Sequence, residues 1–221
     1  MDEFNNLLGT KEGWLVLKRR CHDGFTLIEI LVSLVIIALM VLVSLPSMTT
    51  YFQNSKIGSA TQAYTTGMQV ARAEAIRRNL PVEFVLTDTD VAAANIANVA
   101  APSANGRNWL VRVLDPATAT FDLVEKKSAL EGSGQIAGST PSVSVAGTAQ
   151  VPPTAFNGIV AFNGFGGTQT TSEIWLDINN PAGGACFPAG TMRCLRVRVT
   201  PGGQVRACDP KLAAGDSRAC I

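Results

Sequence analysis

Between Phe25 and Leu45 the chain carries twenty-one consecutive residues with a single charge, Glu29. As an α-helix such a run spans about 32 Å, against a bilayer core of about 30 Å. A helix satisfies its own backbone groups, so it can sit in lipid. Lys18, Arg19 and Arg20 stand just before the run, which predicts a cytoplasmic N-terminus and an exported C-terminal part. Two ordinary explanations fall short. A secretory signal ends in a small-residue cleavage site, and Ser44-Leu45-Pro46-Ser47-Met48 offers none. A plain membrane anchor explains the length but not Glu29, because a carboxylate at that depth is costly and functional by default.

The stretch Gly24-Phe25-Thr26-Leu27-Ile28-Glu29 resembles the processing signal of type IV prepilins. The resemblance implies that a prepilin peptidase/N-methyltransferase cuts after Gly24 and methylates Phe25, the new N-terminus. It also implies an assembly role for Glu29, the fifth residue of the mature chain. The chemistry is consistent with both. Glycine before the cut lets the backbone enter a peptidase without side-chain clash. The amine freed on Phe25 can pair with Glu29 of a neighbouring subunit inside a helix bundle, setting axial register because an unpaired buried charge is expensive. Pro46 removes a helical hydrogen bond and is expected either to bend the helix or to be harmless there.

The helix is expected to continue to about Asn79. Ile57, Ala60, Tyr64, Met68, Ala71 and Ala75 recur at helical spacing, a stripe that faces a core, and Asn79 and Pro81 end it. Strands are predicted at Val82–Thr87, Trp109–Leu114, Thr120–Glu125, Gly158–Asn163, Ile174–Ile178 and Leu195–Thr200, with a short return at Gln204–Ala207 after the Pro201-Gly202-Gly203 turn. Asp88–Asn105 and Ser128–Thr154 read as long surface loops. The organisation is therefore a leader over 1–24, a membrane and assembly helix over 25–45, its amphipathic continuation over 46–80, and an exported β-rich domain over 81–221. The fold class is α+β, one long helix packed on an antiparallel sheet.

This layout also resembles type IV pilins. The stretch Ala71–Asn79 followed by Pro81-Val82, the later Ile159–Gly164, and Gly203–Cys208 are similar to the FimT/GspH group of minor pilins and pseudopilins. That resemblance implies a subunit of a type IV pilus or, alternatively, a minor pseudopilin of type II secretion. The implied partners are other pilin or pseudopilin subunits and the bacterial inner membrane. The implied location is a single-pass inner-membrane protein with its C-terminal domain in the periplasm, then the filament.

Cys186, Cys194, Cys208 and Cys220 cluster in the exported part, while Cys21 lies in the leader. Four cysteines in an oxidising compartment make two disulfides. Three pairings are possible; Cys186–Cys194 with Cys208–Cys220 closes the shortest loops, each stabilising by roughly 2–4 kcal/mol. A zinc site is disfavoured because no C-x-x-C pair is present. No metal, cofactor or catalytic residue is expected. The one histidine, His22, is in the leader, so the mature chain lacks the usual general base, and Gly164-Phe165-Gly166-Gly167 has no following Lys-Ser/Thr and reads as a turn.

From Arg193 to Arg218 six basic residues (Arg193, Arg196, Arg198, Arg206, Lys211, Arg218) face two acids, a net of +4. Such a strip can attract the phosphates of double-stranded DNA, which need charge but no sequence code. The plainer reading of the same strip is a solvated strand face. Some FimT-like pilins bind DNA through a terminal Gly-Arg-x-Arg. The matching Gly203-Gln204-Val205-Arg206 keeps only the second arginine.

Overall fold

The computed structural model describes residues 25–128, 144–150 and 156–220. The expected leader and most of the loop expected over Ser128–Thr154 lie outside those residues. Helix α1 runs from Leu27 to Arg78. It crosses the boundary between two units, one ending at Ser44 and the other formed by Leu45–Ile221. In the second unit the helix ends for local reasons. Asn79 adopts the left-handed conformation at φ 52°, which asparagine tolerates better than most residues, and Pro81 cannot continue the helix.

Among the described residues eight strands follow: β1 Val82–Thr87, β2 Asn108–Asp115, β3 Thr120–Lys127, β4 Ser144–Gln150, β5 Ile159–Phe162, β6 Glu173–Asn179, β7 Leu195–Val199 and β8 Val205–Cys208. They form two four-stranded antiparallel sheets, β3-β2-β1-β5 and β4-β6-β7-β8. Two expectations are corrected here. The single sheet is two. The second gains β4, which lies inside the expected loop and pairs along its length with β6, Ser144 opposite Asn179 and Gln150 opposite Glu173.

One core joins the helix stripe to both sheets. Ile57, Tyr64, Met68, Ala71 and Ala75 are buried against Phe84, Trp109, Val111 and Phe162 of the first sheet and Ile174, Leu176, Ile178, Val197 and Val199 of the second. Each buried branched side chain contributes about 1.5–3 kcal/mol relative to exposure. The Tyr64 hydroxyl donates to the carbonyl of Arg107 at 2.7 Å, and burial pushes its ionisation well above the usual tyrosine range. Gly67 is the close-approach point of the helix. A Cβ there would lie 2.7 Å from the Trp109 ring and 2.9 Å from Phe84.

β1 is buried on both faces rather than on alternate residues. The reason is a short helix, α2 Ile96–Val99, within the expected Asp88–Asn105 loop. Its Ile96, with Ala100, packs on Val85 and Leu110 on the far face of the first sheet. Arg112 holds it there: the guanidinium donates to the carbonyl of Ala97 and to the Glu83 carboxylate, both at 2.8 Å.

Two turns meet at the end of the second unit marked by the C-terminus of α1. Arg72 Nε donates to the carbonyl of Gly166 at 2.9 Å. Asn163 Oδ1 accepts from the backbone N–H of Phe165 and Gly167, closing the loop between β5 and β6. Gly203, in the β7–β8 turn at φ 77°, sits so close that a Cβ would be 1.7 Å from the Gly166 oxygen.

Candidate functional site

Among the described residues, the first unit offers a helix with exposed apolar side chains on every face. From Phe25 to Leu42 every residue is exposed, Leu27 at 82% and Leu34 at 61%. A helix that is hydrophobic all round needs lipid or other helices for cover. Among the described residues no helix is long and apolar enough to cross a membrane; the described apolar side chains end at Leu42, and the sequence carries the run to Leu45.

Glu29 lies in the first turn of α1. The Thr26 hydroxyl accepts from the Glu29 backbone N–H at 3.3 Å, and the Thr26 carbonyl accepts from it at 3.1 Å. Thr26 is thus the N-cap, and Thr-x-x-Glu is the spacing of a capping box. A carboxylate in the first turn is also favoured by the helix dipole. Phe25 stands one residue ahead, exposed; Gly24 is outside the described residues.

The two disulfides are Cys186–Cys194 and Cys208–Cys220, with Cα–Cα distances of 5.6 and 5.1 Å. The first closes the loop between β6 and β7. The second folds the chain after β8 back on itself, where Asp209 N–H donates to the Arg218 carbonyl and Asp209 bridges Ala219.

The six basic residues do not form one strip. Arg193, Lys211 and Arg218 lie around the disulfide loops. Arg193 donates to the buried Asp209 carboxylate at 2.7 Å and Arg218 to Asp216 at 3.1 Å, which holds the Asp216 carboxyl below its usual range. Arg196 and Arg198 lie on the outward face of the second sheet. Arg196 makes two bonds to Asp177, directly opposite on β6, at 2.6 and 3.0 Å. Arg198 pairs diagonally with Glu173, and that bond holds the Glu173 carboxyl below its ordinary value. Trp175 lies between them, its ring 4.0 Å from the Arg196 guanidinium and 5.9 Å from that of Arg198. Arg206, on β8 and exposed, donates to the carbonyl of Ser217. The net of +4 counted along the sequence is therefore not what this face presents. Glu173 and Asp177 come from outside the counted stretch, and strand pairing sets them against its arginines.

The prokaryotic N-terminal methylation motif matches residues 19–45. The family of type II transport protein GspH matches residues 60–203, well over half of the chain. The chain belongs to the GspH family. As a GspH-family chain it is a minor pilin or pseudopilin, a structural subunit rather than an enzyme, and its methylation motif marks it for a prepilin peptidase. Its GspH-family fold is also similar to two solved structures. The type IV minor pilin FimU of Pseudomonas aeruginosa, in one crystal form, is 12% identical with a TM-score of 0.47, over 75% of this chain and 97% of that one. The minor pseudopilin EpsH of the Vibrio cholerae type 2 secretion system is 12% identical with a TM-score of 0.42, over 71% and 99%. Both likenesses are too distant to speak to function. No curated relative matches the chain.

Proposed function

We propose that this GspH-family chain is a minor subunit of a type IV pilus. It is cleaved after Gly24, methylated on Phe25 and inserted through its N-terminal helix, with Glu29 setting its register. The observation that carries the reading is the uncovered apolar helix Phe25–Leu42 with Glu29 as its one charge. Such a surface is stable only in lipid or against other helices, and a filament supplies the second when the subunit leaves the first. Thr26 caps the helix by itself, so Glu29 is not needed to form it and is free for an intermolecular role. The test is Glu29→Ala in cells. The expected result is a stable, membrane-associated protein absent from sheared filaments. Normal incorporation would refute the register role.

A second reading is a minor pseudopilin of type II secretion, favoured by the description of the matched family. A deletion strain separates the two. Loss of surface pili with exoprotein secretion intact supports the pilus, and the converse supports secretion. The salt-bridged face of the second sheet speaks for a structural role there rather than for capture of DNA.

A further inference from the structure

Within the second unit, the segment that carries the first disulfide is fastened to α1 at Gln53 and Asn54. Asn180 Nδ2 donates to Gln53 Oε1 at 2.5 Å, and the Arg193 backbone N–H donates to Asn54 Oδ1 at 2.9 Å. Around this attachment the surface is aromatic and basic. Met48, Tyr51 and Phe52 are exposed on the helix, Tyr51 at 71%, and the two rings stand edge to face at 6.0 Å. Phe187, on the Cys186–Cys194 loop, is 48% exposed, and the Lys211 ammonium lies 3.7 Å from its ring centre. Lys56 follows Phe52 by one helical turn. Among the described residues no carboxylate pairs with Lys56 or Lys211.

We infer that this surface is a seat for anionic phospholipid headgroups, on which the subunit rests in the membrane before it joins a filament. The inference rests on the membrane anchoring proposed above. Chain connectivity brings the partner into reach. Tyr51 is six residues past the end of the apolar run at Leu45, about 9 Å along a helix. The polar zone of a bilayer extends some 5–8 Å beyond its hydrocarbon core on each side. Helical side chains lean back towards the N-terminus, so the rings of Tyr51 and Phe52 reach back to the outer edge of that zone, where amphipathic rings are favoured. Loop 185–193 is tied to the helix within three residues of Tyr51, so Phe187 and Lys211 share that neighbourhood. Stacking on Phe187 presents the Lys211 ammonium outward at low conformational cost. Each cation near an anionic surface raises its occupancy about fivefold.

The test is hydrogen–deuterium exchange of the full chain in nanodiscs of phosphatidylcholine, alone or mixed with phosphatidylglycerol. Amides of 185–193 and 209–212 are expected to exchange about fivefold slower in the anionic discs, while those of 163–168 and 201–204 do not change. The combined variant Lys56→Glu, Lys211→Glu is expected to abolish the difference. Equal rates in the two lipids would overturn the inference, and so would slowing that survives the double variant. Slowing reproduced by free glycerol phosphate in neutral discs would assign a small-anion site instead. Slowing that grows with the number of chains per disc would assign a neighbouring subunit. A chain that resists insertion into either disc, as read by alkaline extraction, would overturn the anchoring and this seat together.

Discussion

Arg72 Nε donates to the carbonyl oxygen of Gly166 across 94 residues of sequence, at 2.9 Å. One guanidinium thus fixes the β5–β6 loop to the helix, and Gly203 from the next turn closes over the same oxygen. Arg72→Ala removes a charged donor from a half-buried carbonyl, a loss of about 1.5–3 kcal/mol. Thermal unfolding of the purified chain is expected to show it as a lowered Tm. Gly203→Ala, which places a Cβ on that oxygen at a positive φ, is expected to lower Tm further. An unchanged midpoint for Gly203→Ala would refute the close approach.

Gly67 tests packing against propensity. In an open helix Gly→Ala stabilises by about 1 kcal/mol. Here the added methyl meets the rigid Trp109 ring at 2.7 Å, and overpacking costs typically about 1–3 kcal/mol. Gly67→Ala is therefore expected to be neutral to destabilising by about 2 kcal/mol. The double variant Gly67→Ala, Trp109→Leu is expected to lose less than the two single variants together, which a double-mutant cycle measures.

The last turns of α1 carry a pH dependence. Hydrogen bonds from Arg77, at 2.9 and 2.6 Å, and from Arg78, at 2.8 Å, hold Glu74 near a pKa of about 2, against an ordinary 4.5. The folded carboxyl titrates below its unfolded value, so its stabilisation is complete above pH 4.5. It fades as pH falls from 4.5 towards 2. Glu74→Gln is expected to lower Tm at neutral pH and to match the parent chain near pH 2. A deficit that stays constant across that window would exclude the ion pair as its source.

The acids of β6 are expected to govern what the outward sheet face binds. The intact chain should bind double-stranded DNA weakly, because Arg196 and Arg198 already face Asp177 and Glu173. Glu173→Gln with Asp177→Asn uncovers two cations. Electrophoretic shifts are expected to tighten for that variant, with a log–log salt slope steeper by about 2. Tight binding by the unaltered chain that is lost on Arg196→Ala and Arg198→Ala would contradict this.

Much of the architecture is legible in the sequence because the patterns behind it are long. Six stripe positions over five turns of helix define the core face. Seven of the eight described strands carry branched or aromatic residues in runs that locate them to within two residues. What escapes is short or small. β4, Ser-Val-Ala-Gly-Thr-Ala-Gln, has only Val145 and Thr148 with a strand preference, too few and too far apart to show, and is held by its pairing with β6. α2 has one turn, too short for a period to show. The basic strip misleads for a related reason: charge counted along one stretch omits acids that pairing brings from another. The Thr26 cap was available, since Thr-x-x-Glu opens an apolar run there.

The Cys208–Cys220 loop has a consequence for how copies of this chain can associate. β8 is the margin of its sheet, and an open margin of backbone N–H and C=O groups invites another strand to add. The chain beyond β8 turns back, bonds Asp209 to Arg218 and is stitched to the strand's last residue. Along that margin the hem discourages edge-to-edge zippering of neighbouring domains into amyloid-like ribbons.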